Sequence, residues 1–252
     1  MNKIIVPISG GKDSTACLLL ALEDDREVMP VFNDTGWEHP VTYEYIDYLQ
    51  NKLNIKIHKT TEAVKRGKAI KGLPDLIREQ GRFPFGLGRF CTMYLKQYAL
   101  RDYFRDNFFD NETHFEIWFG MRTDESGQRA RKYAGIESTD IFNIADIFPN
   151  RWNKKLQKYV QVRLPVVDWS TDDVFSFLDS KEVGKNPLYD EGTNDRVGCY
   201  PCLLAGKKVQ QRMFDTTFGQ ERLKVIKQLE QEIGQKYEMY DTDQGSCEAC
   251  KI

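Results

Sequence analysis

Ser9-Gly10-Gly11-Lys12-Asp13-Ser14-Thr15 is the run whose residue types and spacing speak most directly of chemistry. It follows a short β-rich stretch, Lys3 to Ile8, and opens a mostly apolar helical one, Ser14 to Glu23. Two adjacent glycines let a backbone turn tightly and approach a ligand closely. The amides at the start of the helix favour an anion. Ser9, Ser14 and Thr15 add hydroxyls and Lys12 adds a charge. Together these describe a phosphate site. It is not the Walker type, because the four-residue spacer and the Gly-Lys-Ser/Thr ending are absent. The plainer alternative is a glycine turn with a capped helix, and the full motif at a strand–helix junction argues against it.

Six cysteines form the second chemical feature: Cys17, Cys91, Cys199, Cys202, Cys247 and Cys250. Four of them make two Cys-x-x-Cys pairs, 199/202 and 247/250. In a chain of this size such pairs read as metal or redox sites rather than structural disulfides. Thiolates are soft ligands that suit iron–sulfur clusters and zinc. Cys17 lies inside the apolar first helix and reads as a buried small hydrophobe. His39, His58 and His114 are scattered, and none has a metal-ligand spacing.

The elements that must position these residues alternate. Glu27 to Phe32 reads as a second strand, Val41 to Leu53 as a helix through Tyr45, Ile46, Leu49 and Leu53, and Ile55 to His58 as a third strand. Residues 60 to 90 read as an irregular insertion rich in Gly, Lys and Arg. Its Lys65, Arg66, Lys68, Lys71, Arg78 and Arg82 suit a polyanion such as nucleic acid, or simply a solvated face. Thr92 to Phe109 reads as a helix, Phe115 to Gly120 and Val160 to Val167 as strands, and Asp172 to Leu178 as a helix capped by Ser170 or Thr171. Helical segments over 206–214 and 217–237 follow the first Cys-x-x-Cys pair. Strands alternating with helices predict right-handed βαβ units and a doubly wound parallel sheet. The expected organisation is an α/β domain over residues 1–180 and a small helical, cysteine-bearing lobe over 181–252.

Composition narrows the classes. The chain has 252 residues, 40% hydrophobic and 29% charged, which is a globular balance. With 36 basic and 38 acidic side chains the formal net charge is −2, which excludes nucleic-acid binding by bulk charge. No apolar run is long enough for a membrane helix. The first residues lack a signal-peptide pattern, so a cytoplasmic protein without a membrane partner is expected.

SGGKDS resembles the loop of the PP-loop ATP pyrophosphatase superfamily, whose adenine nucleotide alpha-hydrolase-like fold binds ATP and releases pyrophosphate. The resemblance implies that residues 9–15 grip nucleotide phosphates, with Mg²⁺ assisting. Phe32-Asn33-Asp34-Thr35-Gly36-Trp37-Glu38-His39-Pro40 is similar to the segment after strand two in the phosphoadenylylsulfate (PAPS) reductase family. It implies that Asp34 and Thr35 meet the nucleotide. Gly120-Met121-Arg122-Thr123-Asp124-Glu125-Ser126-Gly127-Gln128-Arg129 resembles that family's Gly-x-Arg-x-x-x-Ser-x-x-Arg stretch. Arginine forks suit phosphate and sulfate oxygens, so Arg122 and Arg129 become anion-binding and catalytic candidates beside Lys12 and Asp13, with Gly120 and Ser126 next to the nucleotide. Leu164 to Val174, Asn186 to Tyr189 and Arg196 to Cys199 resemble the family's closing segment. The ordered blocks run from about residue 4 to 205.

Within the family, iron–sulfur members keep cluster ligands near Cys91 and at Cys199/Cys202, although the middle position here has one cysteine where they have two. Three readings stay open. Cys91, Cys199 and Cys202 hold a [4Fe–4S] cluster; Cys247 and Cys250 join Cys199 and Cys202 around zinc; or Cys247 and Cys250 form a mobile redox pair. Three activities follow. One is an ATP-using sulfurtransferase, similar to the sulfur-inserting component of DNA phosphorothioation, which needs a sulfur donor and an acceptor such as nucleic acid. The second is a PAPS or adenylylsulfate reductase that releases sulfite and needs a thiol reductant protein. The third is a non-catalytic nucleotide sensor with a structural zinc. The complete Ser-Gly-Gly-Lys-Asp-Ser favours the first, because reductases that do not cleave ATP usually carry a degraded loop.

Overall fold

The computed structural model describes residues 3–60, 63–65, 68–86, 88–148, 152–192 and 196–239. Along the chain these form β1 (Lys3–Ile8), α1 (Lys12–Leu22), β2 (Val28–Asn33), α2 (Pro40–Leu53), β3 (His58–Thr60), β4 (Ala63–Lys65), β5 (Lys68–Ile70) and α3 (Leu73–Gln80). A π-helical segment, Thr92–Tyr98, leads into α4 (Ala99–Asn107), followed by β6 (Phe115–Trp118), a 3₁₀ turn (Thr123–Glu125), α5 (Gly127–Lys132), β7 (Ile141–Asn143), α6 (Ile144–Ile147), α7 (Lys154–Gln157) and β8 (Val160–Arg163). The chain continues through α8 (Thr171–Ser180), a 3₁₀ turn (Pro187–Tyr189), α9 (Lys207–Phe214) and α10 (Thr217–Ile233). Among the described residues no helix is long and apolar enough to cross a membrane.

Two compact units result, and neither is contiguous. The first comprises 1–33, 44–60 and 100–186, and the second 34–43, 61–99 and 187–252. The expected boundary near residue 180 therefore captures only part of the division. Residues 34–43 and 61–99, which the sequence assigned to the nucleotide domain, belong with the C-terminal segment.

The first unit is built on a six-stranded sheet ordered β3-β2-β1-β6-β8-β7. Five strands are parallel, and β7 closes the edge antiparallel to β8. β1 is central, pairing Ile4 with Val28 on one side and Lys3 with Phe115 on the other. Its Ile4, Ile5 and Val6 are fully buried. A continuous apolar run of this kind is what a strand covered on both faces requires. Phe104, Phe115, Ile117, Trp152, Val160 and Val162 pack with Ile5 and Val31 into one core. The order reverses at β1, whose neighbours β2 and β6 lie on opposite sides. The crevice at the strands' carboxyl ends beside such a switch point is where open α/β sheets bind ligands. The chain leaving β1 there is Ser9–Gly11, and the chain leaving β6 is Phe119–Arg122.

The second unit has its own core of Trp37, Ile70, Leu76, Ile77, Phe90, Phe214, Ile226 and Leu229. The segment expected to be irregular contains the antiparallel hairpin β4–β5 and helix α3. Pro74 in the first turn of α3 and Gly81 in the left-handed conformation (φ 65°) after it are ordinary start and stop devices.

Candidate functional site

The loop after β1 is organised by its own hydroxyls. Gly10 turns the chain with φ 75°, a conformation that favours glycine. Gly11 is the N-cap of α1, and its carbonyl accepts from the Ser14 hydroxyl at 2.9 Å and the Thr15 hydroxyl at 3.0 Å. The Ser9 amide donates to Ser14 Oγ at 3.2 Å, and the Gly11 amide to Ser9 Oγ at 3.3 Å. Asn186, 1% exposed, donates from Nδ2 to the Gly10 carbonyl at 3.1 Å. The loop is thus fixed while the first turn of α1 presents amides that no intrahelical acceptor satisfies. Lys12 is buried, with Nζ 3.7 Å from Asp13 Oδ2 and 5.9 Å from the Phe175 ring centroid.

The chain after β6 supports this turn. Arg122 is 1% exposed and donates from Nε to Asp13 Oδ1 at 2.6 Å. Its Nη1 reaches Asp124 Oδ2 (3.1 Å) and the Trp169 carbonyl (2.9 Å), and Nη2 reaches Thr171 Oγ1 (3.1 Å). Ser126 caps α5 by accepting from the Arg129 amide at 3.3 Å, and the Arg129 side chain pairs with Glu125.

A second polar centre lies in the second unit. The Glu38 carboxylate accepts from the Thr35 amide (3.1 Å), the Thr35 hydroxyl (2.6 Å) and the Trp37 amide (3.2 Å). Cys199 Sγ stands 3.4 Å from Thr35 Oγ1 and 3.9 Å from Glu38 Oε1. Backbone pairing of Glu38 with Cys199, and of the Tyr200 amide with the Trp37 carbonyl at 2.7 Å, fixes this approach. Asp34 accepts from the Gly36 amide (2.8 Å) and the Tyr43 hydroxyl (2.7 Å). Arg222 stacks over Trp37, its guanidinium carbon 4.3 Å from the ring centroid, and donates to the Glu38 carbonyl at 3.0 Å. Burial pushes the Cys199 thiol up to about 12, against the lowering influence of Lys96. Burial likewise raises the Glu38 carboxyl, although the Thr35 hydroxyl opposes it. The thiolate form of Cys199, followed by the Glu38 carboxylate and the thiolate forms of Cys202 and Cys91, draws the Lys96 ammonium above the ordinary lysine range.

A family model described as the phosphoadenosine phosphosulfate reductase domain matches residues 3–205. The chain belongs to the PAPS reductase family. A 37.8 kDa protein of Escherichia phage 186, described as uncharacterized, is 31% identical over 248 residues, covering 83% of this chain and 70% of that one. The phosphoadenosine 5'-phosphosulfate reductase of Buchnera aphidicola is 28% identical over 198 residues. That match takes in 75% of this chain, and this chain spans 66% of the reductase. Among solved structures, the PAPS reductase of Candida auris, in a phosphate complex, superposes with a TM-score of 0.52 at 14% identity. That superposition covers 80% of this chain and 83% of the other, a likeness of fold.

Of the residues singled out in the sequence, the PAPS reductase fold brings Ser9 to Thr15, Gly120 and Arg122 together at the carboxyl ends of the neighbouring strands β1 and β6. Arg122 differs from its expected part. It is engaged by four acceptors of the protein itself rather than presented as an outward fork. Asp34 and Thr35 sit in the other unit, where they organise Glu38, Tyr43 and Cys199. Within the basic insertion Lys68 pairs with Glu79 at 2.9 Å, and Arg78 with Asp75 at 3.1 Å and Glu232 at 2.6 Å; Arg66 lies outside the described residues.

Lys96, Glu38 and Arg222 escaped the sequence reading. In a π-helix the i→i+5 bonding widens the turn, which brings Lys96 back toward the side of Cys91, five residues earlier. Read with an α-helical period, Lys96 points elsewhere. The thiols of Cys91, Cys199 and Cys202 all bear on this ammonium. Their chemistry suits a soft metal, but among the described residues no three His, Cys, Asp or Glu side chains are gathered closely enough to hold one. Cys91, Cys199 and Cys202 are the described residues that would hold such a group. Cys247 and Cys250, the remaining candidate ligands, lie outside the described residues.

Proposed function

We propose that this PAPS reductase-family chain is an ATP-using PP-loop enzyme that adenylates an acceptor oxygen and prepares it for sulfur transfer. The observation that carries this reading is the complete Ser-Gly-Gly-Lys-Asp-Ser loop, folded as a β1–α1 turn with Lys12 held beside it. In the proposed reaction an acceptor oxygen attacks the α-phosphorus of ATP. The new O–P bond forms as the α–β bridging O–P bond breaks, and pyrophosphate leaves. Lys12 and the amides of residues 10–14 offset charge on the phosphates. Mg²⁺ accompanying the nucleotide neutralises the leaving pyrophosphate when bound. A sulfur nucleophile, delivered by a sulfur-donor protein, then displaces AMP. A nucleic acid is one acceptor class this reading admits.

The second reading is a PAPS reductase, favoured by the named activity of the Buchnera relative. There a cysteine thiolate attacks the sulfuryl sulfur and releases the nucleotide, and a thiol reductant resolves the S-sulfocysteine to sulfite. One paired assay separates the two. The protein is incubated with ATP and Mg²⁺ in the presence of candidate acceptors, and separately with PAPS and a dithiol. Equal amounts of AMP and pyrophosphate from ATP are the expected result. Sulfite from PAPS, with ATP untouched, makes the chain a reductase.

A further inference from the structure

We infer that Arg122 is a positioning residue: it sets the phosphate loop through Asp13 and does not itself grip the ligand. The family resemblance gives an arginine at this place the part of an anion fork, and the geometry assigns another. A fork that binds phosphate or sulfate bidentately must turn a pair of N–H groups outward. Arg122 is 1% exposed, and its three nitrogens are directed at Asp13, Asp124, Thr171 and the Trp169 carbonyl. The acceptors come from three separate stretches: the first turn of α1, the turn after β6, and the junction of β8 with α8. Asp124 Oδ2 also accepts from the Thr171 amide and hydroxyl, each at 3.2 Å, so the acceptors are cross-linked among themselves.

Asp13 is the only one of them inside the phosphate loop. One of its oxygens faces Arg122 Nε at 2.6 Å, and the other stands 3.7 Å from Lys12 Nζ. Its carboxylate therefore lies between two cations. Arg122 fixes Asp13, and Asp13 in turn fixes where the Lys12 ammonium points. The guanidinium acts on a ligand at one remove, by holding the geometry of residues 11–14.

The test uses Arg122→Met, Asp13→Asn and the double variant of the full chain, with Arg122→Lys as the milder change should Arg122→Met fail to fold. Amide hydrogen exchange is first measured without nucleotide. Roughly tenfold faster exchange over residues 9–15, with β1 and β6 unchanged, is expected for each single variant and no further acceleration for the double. Arg122→Lys, which keeps the charge but loses the planar fork, is expected to fall between wild type and Asp13→Asn. Loop exchange that stays at the wild-type rate in Arg122→Met, or in Arg122→Lys if that is the one that folds, overturns the inference. The second arm rests on the proposed ATP reading and measures the affinity for ATP with Mg²⁺. Equal losses in both single variants and in the double support action through Asp13, whereas losses that multiply mean that Arg122 touches the ligand and overturn it. A wild-type protein that binds no ATP defeats the proposed function, while the exchange measurement still decides the part of Arg122.

Discussion

A β-carbon placed on Gly120 would stand 2.4 Å from the carbonyl oxygen of Asp13 and 2.8 Å from the amide nitrogen of Ser14. The chain leaving β6 therefore lies directly against the peptide that opens α1. No side chain fits there without displacing backbone. Gly120→Ala is expected to push the first turn of α1 away from β6. Overpacking of this kind costs about 1–3 kcal/mol, and urea denaturation measures it. Nucleotide affinity should fall with it, and an unchanged midpoint would show that the two segments move apart freely.

Lys12 and Asp13 should separate function from stability. Lys12→Ala removes a charge from the loop while Asp13 keeps its closer ion pair with Arg122, so nucleotide turnover should drop by about 10²-fold or more with less change in melting temperature than the loss of Asp13 causes. Asp13→Ala leaves the Arg122 guanidinium, 1% exposed, without its closest carboxylate. Breaking a buried pair on one side typically costs about 3–5 kcal/mol. Calorimetric scans of the two variants check the contrast, and equal melting temperatures would deny the pair its structural weight.

The thiol centre predicts a pH dependence. Burial holds Cys199 protonated up to about 12, against an ordinary value of 9.0. In chelator-treated protein its alkylation by iodoacetamide should therefore rise about tenfold per pH unit between 8 and 10, because only the thiolate reacts. A rate already flat by pH 8 would mean that the thiol is ionised. The same shift acts on stability. The unfolded chain releases this proton near 9 while the folded chain keeps it, so the contribution of Cys199 is complete below 9 and is lost as pH climbs toward 12. Cys17, fully buried, should label only on unfolding.

Ser170 closes a capping box with Asp173: its hydroxyl accepts from the Asp173 amide at 3.1 Å, and the Asp173 carboxylate accepts from the Ser170 amide at 2.8 Å. Ser170→Ala should cost about 1 kcal/mol. Because α8 follows the Trp169 carbonyl that Arg122 binds, the loss is also expected to loosen that contact.

Much of the first unit was legible in the residues. The apolar runs of β1, β2, β6 and β8 announce a covered parallel sheet, and the Gly-Gly turn between β1 and α1 announces the loop. Ser170 as a cap follows from its place before an amphipathic run. Short elements were harder. β7 has three residues, two of them exposed, so no alternation marks it. α3 hid in a segment dominated by Gly, Lys and Arg, although Pro74 and Gly81 bracket it. The discontinuous units were invisible because residues 34–43 and 61–99 join the C-terminal segment through Trp37, Phe90 and Leu229, contacts far apart in sequence. The surroundings of Cys199 stayed hidden for a similar reason, since Glu38 reaches it only through a long-range backbone pairing and Lys96 only through a π-helical turn. Arg122 was recognised as important from its motif, and only the positions of its acceptors reveal that it faces inward.

Under the proposed function, residues 9–15 receive the phosphates of an adenine nucleotide. Titration of the ¹⁵N-labelled chain with ATP and Mg²⁺, followed by backbone amide shifts, tests it most directly. Saturable shifts are expected at Gly10, Gly11, Lys12 and Ser14 and should disappear in Lys12→Ala. Saturable shifts elsewhere, with those four amides unmoved, would contradict it.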